Sequence, residues 1–135
     1  MCGIGGWIEF QKVSAASMRA AGEFMADAMK HRGPDGFGVE VFGGDEDAIA
    51  MVMHRRLSIL GLGDEGKQPM RSADGRYWIS FNGEIYNYLE LKDRFGLKTQ
   101  THSDTEVLLL LYEKMGADML QYLDGMFVMA IYDRK

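Results

Sequence analysis

The chain begins Met1-Cys2-Gly3-Ile4-Gly5-Gly6 and carries its only cysteine at position 2. If Met1 is removed, Cys2 becomes the N-terminal residue, with a free α-amine that titrates near ~7.7 to 8.0. Such an amine accepts a thiol proton at neutral pH, and the thiolate attacks acyl carbons. The alternative interpretation is that Cys2 is an ordinary small residue, buried at the start of the chain. The glycines predict a strand at 3–10 that a substrate can approach closely.

The length and composition of the chain limit the kinds of protein that it can be. With 135 residues and 47% apolar content the chain can bury one core, so we expect one domain, 1–135. A net charge of -5 without basic blocks argues against nucleic acid as a partner. No apolar run is long enough to span a membrane, and no secretory signal is visible. A single cysteine forms no internal disulfide, which favours a cytoplasmic location.

The three histidines, His31, His54 and His102, lie far apart in the sequence and have no second cysteine beside them. That spacing predicts no metal site. The sequence also contains no phosphate-binding loop and no dinucleotide fingerprint. We therefore expect no cofactor in this chain.

Apolar periodicity and chain-breaking residues predict the order of elements. Ser14 is the expected N-cap of the first helix and Gly33 its left-handed C-cap, and Ser103-Asp104-Thr105-Glu106 forms a capping box. The predicted order of strands with hairpin turns, then helices, then a strand favours an α+β layered fold. After the first strand the predicted elements are a helix at 14–30, a hairpin of strands at 36–42 and 48–59, a strand at 77–81, helices at 88–95, 107–115 and 118–123, and a strand at 126–132.

Asn82-Gly83 has two interpretations. An Asn-Gly pair between apolar segments is the strongest short signal for a type I′ hairpin turn. Alternatively, the Asn82 side-chain amide and the Gly83 N–H are two donors suited to an oxyanion that develops during acyl transfer to a thiol. The sequence by itself leaves both open.

Charged residues suggest a pocket for an α-amino acid. Arg55 and Arg56 are neighbours in a strand, so only one of them can face a given pocket, where it would bind a carboxylate through a bidentate fork. Asp104 suits the first turn of a helix, and Glu84 suits a solvated turn. If both faced that pocket, they would instead bind an ammonium group. The pattern does not choose between the two arginines.

Six motifs across the chain resemble those of class II glutamine amidotransferases, and most resemble the N-terminal domain of glutamine-hydrolysing asparagine synthetases. They occur in the family's order. The motifs are Met1-Cys2-Gly3-Ile4, His31-Arg32-Gly33-Pro34-Asp35-Gly36, Arg56-Leu57-Ser58-Ile59, Gln68-Pro69-Met70, Phe81-Asn82-Gly83-Glu84-Ile85-Tyr86-Asn87 and Ser103-Asp104-Thr105-Glu106-Val107.

The resemblance implies a four-layer α/β/β/α N-terminal nucleophile hydrolase fold with two stacked antiparallel sheets. Because such domains continue past the last strand found here, we expect the fold to be truncated at its C-terminus. We expect no synthetase domain within these 135 residues, and we expect ATP and Mg²⁺ only in such a domain. The implied partners are L-glutamine and a synthetase domain or chain, with a homodimer as a further option.

The resemblance also implies a reaction and its residues. Cys2 attacks the glutamine side-chain amide, ammonia leaves, and water hydrolyses the thioester to glutamate. Asn82 and Gly83 match the oxyanion hole, and Arg56 matches the residue that binds the α-carboxylate. Positions near the α-amino group match Glu84 and Asp104, and the pocket is further lined by Leu57, Ile59 and Leu60.

Three hypotheses follow from these observations. The first is a glutaminase half that passes ammonia to a synthetase, which in related pathways makes asparagine, an amino sugar or a β-lactam. The second is a catalytically idle fragment whose incomplete sheet pairs with a partner. The third is an N-terminal nucleophile hydrolase that acts on another amide. The proposed pair of Arg56 and Asp104 argues against it, because these two side chains together would select a free α-amino acid.

Overall fold

The computed structural model of the chain describes residues 2–43, 48–57 and 66–135. Six strands, three α-helices and one 3₁₀ helix follow one another in these residues. They are β1 (Gly3–Glu9), α1 (Ala15–Ala28), β2 (Gly36–Phe42), β3 (Ile49–Arg56), β4 (Met70–Arg71), β5 (Tyr77–Ile85), α2 (Tyr88–Phe95), α3 (Asp104–Met115), the 3₁₀ helix (Gly116–Tyr122) and β6 (Gly125–Asp133).

The strands form two antiparallel sheets. The first has the order β1-β3-β2, with Gly3 opposite Arg55 and Gly36 opposite Arg56. The second has the order β4-β5-β6. β4 is only two residues long, and its first residue, Met70, lies opposite Ile79.

One face of each sheet packs against helical residues, and a separate hydrophobic core lies between each sheet and its helices. Met18 and Ala26 of α1 pack with Met51 and Met53 of β3. Leu91 of α2 and residues of α3 pack with Ile79 and other apolar residues of β5. The two sheets meet where the Phe42 ring stacks on the Tyr132 ring, with centroids 4.2 Å apart. The layers are therefore helix, sheet, sheet and helix, as expected from the sequence.

The first helix begins as predicted and ends earlier. Ser14 caps it by accepting a hydrogen bond from the Ser17 N–H. Its C-cap is Met29, so the prediction that Gly33 forms a left-handed C-cap is wrong. Gly33 is instead packed against the backbone, since a Cβ there would lie 2.7 Å from the carbonyl carbon of Arg55. It serves close chain approach rather than helix termination.

The Asn82-Gly83 pair is part of a strand, so the hairpin-turn interpretation is wrong. β5 continues to Ile85, with Asn82 opposite Val128 and Gly83 opposite Phe127. A Cβ on Gly83 would contact the Met126 oxygen and lie 2.6 Å from Phe127 Cα. Glycine is needed here for close approach of β6.

The capping box of α3 is only partly formed. The Ser103 hydroxyl accepts a hydrogen bond from the Thr105 N–H, as an N-cap does. The Glu106 carboxylate accepts from the backbone N–H groups of Gln100 and Thr101, at 2.9 and 2.7 Å, rather than from Ser103. Glu106 therefore fixes the loop before the helix.

Candidate active site

Cys2 lies directly before β1, at the end of the first sheet where β3 finishes. The Leu57 N–H donates to the Cys2 sulfur at 3.4 Å, and the thiol lies 3.8 Å from the Leu57 oxygen. The Arg32 Nε donates to the Cys2 carbonyl at 3.3 Å. Cys2 is half-buried. Its thiol therefore has both a backbone donor and a backbone acceptor within reach and remains accessible.

The two adjacent arginines have different surroundings. Arg55 is 5% exposed, and its guanidinium lies 5.5 Å from the centre of the Phe37 ring. Arg56 is half-buried on the opposite face of β3, the face it shares with His54. Its guanidinium lies against Gly66, where an added Cβ would be 2.6 Å from Nη2. Arg56 is thus the more accessible of the two.

Two hydrogen bonds between the sheets fix β5 against β3. The Ser80 hydroxyl donates to the Met53 oxygen at 3.2 Å, and the His54 Nε2 lies 3.1 Å from the Phe81 oxygen. Burial lowers the pKa of His54 from 6.5 to about 4, against the opposing effect of the Phe81 hydrogen bond. The ring is therefore neutral at pH 7 and donates its Nε2–H to that carbonyl. Asn82 follows this junction directly.

The side chain of Asn82 lies on the face of β5 that carries Ser80, because successive strand residues alternate. Since Ser80 contacts β3, this face is directed toward the first sheet. Asn82 is half-buried, and Gly83 and Glu84 are exposed. The sequence-predicted oxyanion donors therefore lie on an accessible strand next to the junction between the sheets.

The edge of β5 that faces away from β6 is held by side chains. The Phe81 N–H donates to Gln68 Oε1 at 2.6 Å, and the Ile85 N–H donates to Asp104 Oδ2 at 3.2 Å. N–H groups of alternate residues in a strand point to the same edge. The Gly83 N–H therefore points to this edge, between the two anchored positions. Among the described residues, β4 covers the edge only as far as Ile79.

Asp104 is the first residue of α3, and its carboxylate lies where the helix dipole favours negative charge. Burial raises its pKa above the usual value, and hydrogen bonds from the Ile85 and Thr105 N–H groups partly offset this. A half-buried carboxylate has lost part of its hydration. A bound cation would compensate for this loss by stabilising the charged form, so the carboxylate is suited to binding one.

The site residues predicted from the sequence lie in two groups in the structure. Cys2 contacts Leu57, which follows Arg56, and Asp104 contacts the strand that carries Asn82, Gly83 and Glu84. The His54 contact links the groups. Ile59, Leu60 and Met1, also expected at the site or in its processing, lie outside the described residues.

Sequence reasoning gave no role to His54 and Gln68, although both contact the backbone of Phe81. The only available signal was the position of Gln68 inside the Gln68-Pro69-Met70 motif, where the peptide bond between Gln68 and Pro69 is cis. Among the described residues, no group of three or more His, Cys, Asp or Glu side chains is arranged to hold a metal ion. No helix in the described ranges is long and apolar enough to cross a membrane.

A family model described as glutamine amidotransferase domain matches residues 1–135. The chain is 40% identical to a protein of Methanocaldococcus jannaschii provisionally named glutamine-hydrolysing asparagine synthetase 2, covering 100% of this chain and 28% of the relative. It is 37% identical to asparagine synthetase B of Escherichia coli, covering 98% of this chain and 23% of the relative. The chain thus spans about a quarter of the length of these relatives.

A solved structure supports the fold. The glutamine phosphoribosylpyrophosphate amidotransferase of Bacillus subtilis superposes on 97% of this chain and 35% of that one, with a TM-score of 0.68. The sequence identity is 22%, so this likeness concerns the fold alone. It agrees with the layered arrangement of two antiparallel sheets.

Proposed function

The chain belongs to the glutamine amidotransferase domain family, and from this we propose that it hydrolyses L-glutamine to L-glutamate and ammonia with Cys2 as nucleophile. The observation that carries the proposal is the accessible Cys2 thiol beside Leu57, at the end of the strand that presents Arg56. The asparagine synthetase relatives are named as glutamine-hydrolysing, which supports the same substrate.

The chemistry begins at the N-terminus left by removal of Met1. The α-amine of Cys2 takes the thiol proton, and the sulfur forms a bond to the glutamine side-chain carbonyl carbon. The negative charge on the oxygen is stabilised by the Asn82 amide and the Gly83 N–H. The carbon–nitrogen bond then breaks, ammonia leaves with the proton, and a γ-glutamyl thioester remains. Water attacks this thioester and releases glutamate and the thiol.

The amino-acid end of glutamine is held by charge. The Arg56 guanidinium binds the α-carboxylate through two parallel hydrogen bonds. The carboxylates of Asp104 and Glu84 bind the α-ammonium group. The half-buried Asp104 carboxylate, and the accessibility of Arg56 compared with Arg55, support these assignments. Leu57, Ile59 and Leu60 are proposed to complete the wall of the pocket. A substrate without an α-carboxylate should therefore be a poor one.

The ammonia is proposed to pass to a synthetase domain or chain, as the names of the relatives suggest. We assign residues 1–135 to the amidotransferase domain, and ATP and Mg²⁺ to the synthetase. A homodimer is proposed as the assembly and is tested by sedimentation velocity. A cytoplasmic location fits because a thiol nucleophile must stay reduced.

Glutamate and ammonia release from L-glutamine tests the proposal. The chain should release both in equal amounts, and Cys2→Ala should abolish release while retaining glutamine binding. A chain with Cys2 at its N-terminus that binds glutamine without turnover would support the idle fragment instead. Faster turnover of an amide without an α-carboxylate would support a hydrolase of another class.

A further inference from the structure

Gln68 makes two side-chain hydrogen bonds that connect the second sheet to α3. Its Oε1 accepts from the Phe81 N–H at 2.6 Å, and its Nε2 donates to the Thr105 hydroxyl at 3.2 Å. The orientation of the amide follows from chemistry, because a backbone N–H can only donate. Gln68 is half-buried, so these contacts are partly shielded from water.

The need for Gln68 follows from the shortness of β4. This strand pairs with β5 only at Trp78 and Ile79. Beyond that point, the N–H groups on this edge of β5 require other acceptors. Gln68 supplies the acceptor for Phe81, and Asp104 supplies the one for Ile85.

These contacts form a continuous chain of hydrogen bonds. From Gln68 it passes to the Thr105 hydroxyl, which lies 3.5 Å from Asp104 Oδ1, and the other oxygen of Asp104 binds the Ile85 N–H. Both ends of the segment from Phe81 to Ile85 are therefore fixed to the first turn of α3. Asn82, Gly83 and Glu84 lie between the two fixed points.

We propose that Gln68 is a positioning residue that aligns the oxyanion donors Asn82 and Gly83 by holding Phe81 to the start of α3. The inference rests on the proposed glutaminase function. The hydrogen-bond partners of the Gln68 side chain are Phe81 and Thr105, so its proposed role acts through them and not on the reacting atoms. Its effect is on rate, because an oxyanion donor displaced by about 1 Å can cost roughly a hundredfold.

Two variants and one control test this role. Gln68→Met keeps the length of the side chain and removes both hydrogen bonds. Thr105→Val removes the hydroxyl that joins Gln68 to Asp104 and keeps the Phe81 acceptor, and it provides a second test if Gln68→Met fails to fold. Gln121→Met makes the same chemical change on an exposed side chain of the 3₁₀ helix. All are made in the full 135-residue chain.

For Gln68→Met we expect kcat for glutamine to fall about 10- to 100-fold. KM should stay near the wild-type value, because Arg56 and Asp104 retain their own contacts. Thr105→Val should show a smaller fall, and Gln121→Met none. Alkylation of Cys2 by iodoacetamide should keep its wild-type rate in every variant, since alkylation builds no oxyanion. A general loss of structure would change the alkylation rate as well, because the half-buried Cys2 thiol would become exposed.

Amide hydrogen exchange followed by NMR tests the anchor without any activity. In Gln68→Met the Phe81 amide should exchange at least about tenfold faster, while the Ile85 amide, held by Asp104, keeps its rate. Unchanged Phe81 exchange, or an unchanged kcat in Gln68→Met, would overturn the proposal. A wild-type chain that does not turn over glutamine would overturn the proposed function, while the exchange result would still decide whether Gln68 holds Phe81.

Discussion

The buried ring of His54 is hydrogen-bonded to the carbonyl of Phe81, with 3.1 Å between Nε2 and the oxygen. His54 is 1% exposed, and this bond crosses from one sheet to the other. Arg56 is two residues beyond His54, and Asn82 is one residue beyond Phe81. Together with the bond from Ser80 to Met53, this bond fixes the strand of the proposed carboxylate-binding residue against the strand of the proposed oxyanion donor.

Stability should fall as the pH is lowered through the range of His54 titration. Its pKa is about 4 in the folded chain against 6.5 as the ordinary value, because burial disfavours the charged ring. The unfolded chain therefore binds more protons between those values, and the free energy of unfolding rises with pH there. The difference amounts to about 3 kcal/mol between pH 7 and pH 4. Urea unfolding at several pH values measures it.

Variants at other histidines provide the control for this prediction. His54→Gln should reduce the pH dependence between about pH 4 and 6.5. His31→Gln and His102→Gln, both at exposed positions, should keep it. An equal pH dependence in the wild type and in His54→Gln would show that His54 is not buried in its neutral form.

Asn82→Ala should slow glutamine hydrolysis by roughly a hundredfold or more, because it removes one oxyanion donor. Asn82 is half-buried, and its backbone pairing with Val128 does not depend on the side chain. The melting temperature should therefore change little. Steady-state kinetics with circular dichroism melting measures both quantities. An Asn82→Ala chain with nearly full kcat would return Asn82 to a purely structural position in β5.

Arg56→Lys should raise KM for glutamine by about 10- to 100-fold, equivalent to roughly 1.4 to 2.8 kcal/mol of binding. Lysine cannot reproduce the bidentate fork on the α-carboxylate. Arg55→Lys should instead lower stability, because Arg55 is buried and stacks on Phe37. If Arg55→Lys raises KM and Arg56→Lys does not, the assignment of the two arginines is reversed.

Gly66→Ala should raise KM without lowering the melting temperature. Its new methyl group would lie 2.6 Å from Arg56 Nη2, so the end of the flexible side chain must move. Gly36→Ala is the matched control: Gly36 lies opposite Arg56 in the sheet, and a Cβ there meets nothing within 4 Å. Equal KM values for both variants would indicate that the guanidinium position seen here does not matter for binding.

Local patterns in the sequence predicted most of the helices and strands. The helix at 88–95 has the predicted bounds, and Ser14 caps α1 as expected. These features depend on neighbours in sequence, such as the left-handed Gly96 that ends α2. The resemblance of the motifs to a known family predicted the layered fold, which local patterns could not supply.

Interpretations that depend on distant partners were less successful. Asn82-Gly83 is a strong turn signal, yet it lies in a strand because β6, more than 40 residues later in the chain, pairs with it. The bridging role of Gln68 could not be predicted either. It depends on where β4 ends and on where α3 begins, and neither is visible in the residues around Gln68.

The intact mass of the purified chain, before and after incubation with a diazo-ketone analogue of glutamine, tests the central claim most directly. We predict a chain without Met1 that gains one adduct, which peptide mapping places on Cys2. Excess L-glutamine should slow the labelling, and Cys2→Ala should remain unlabelled. A chain that has lost Met1 and gains no adduct, or gains it at another residue, would contradict the assignment of Cys2 as the glutamine-reactive nucleophile.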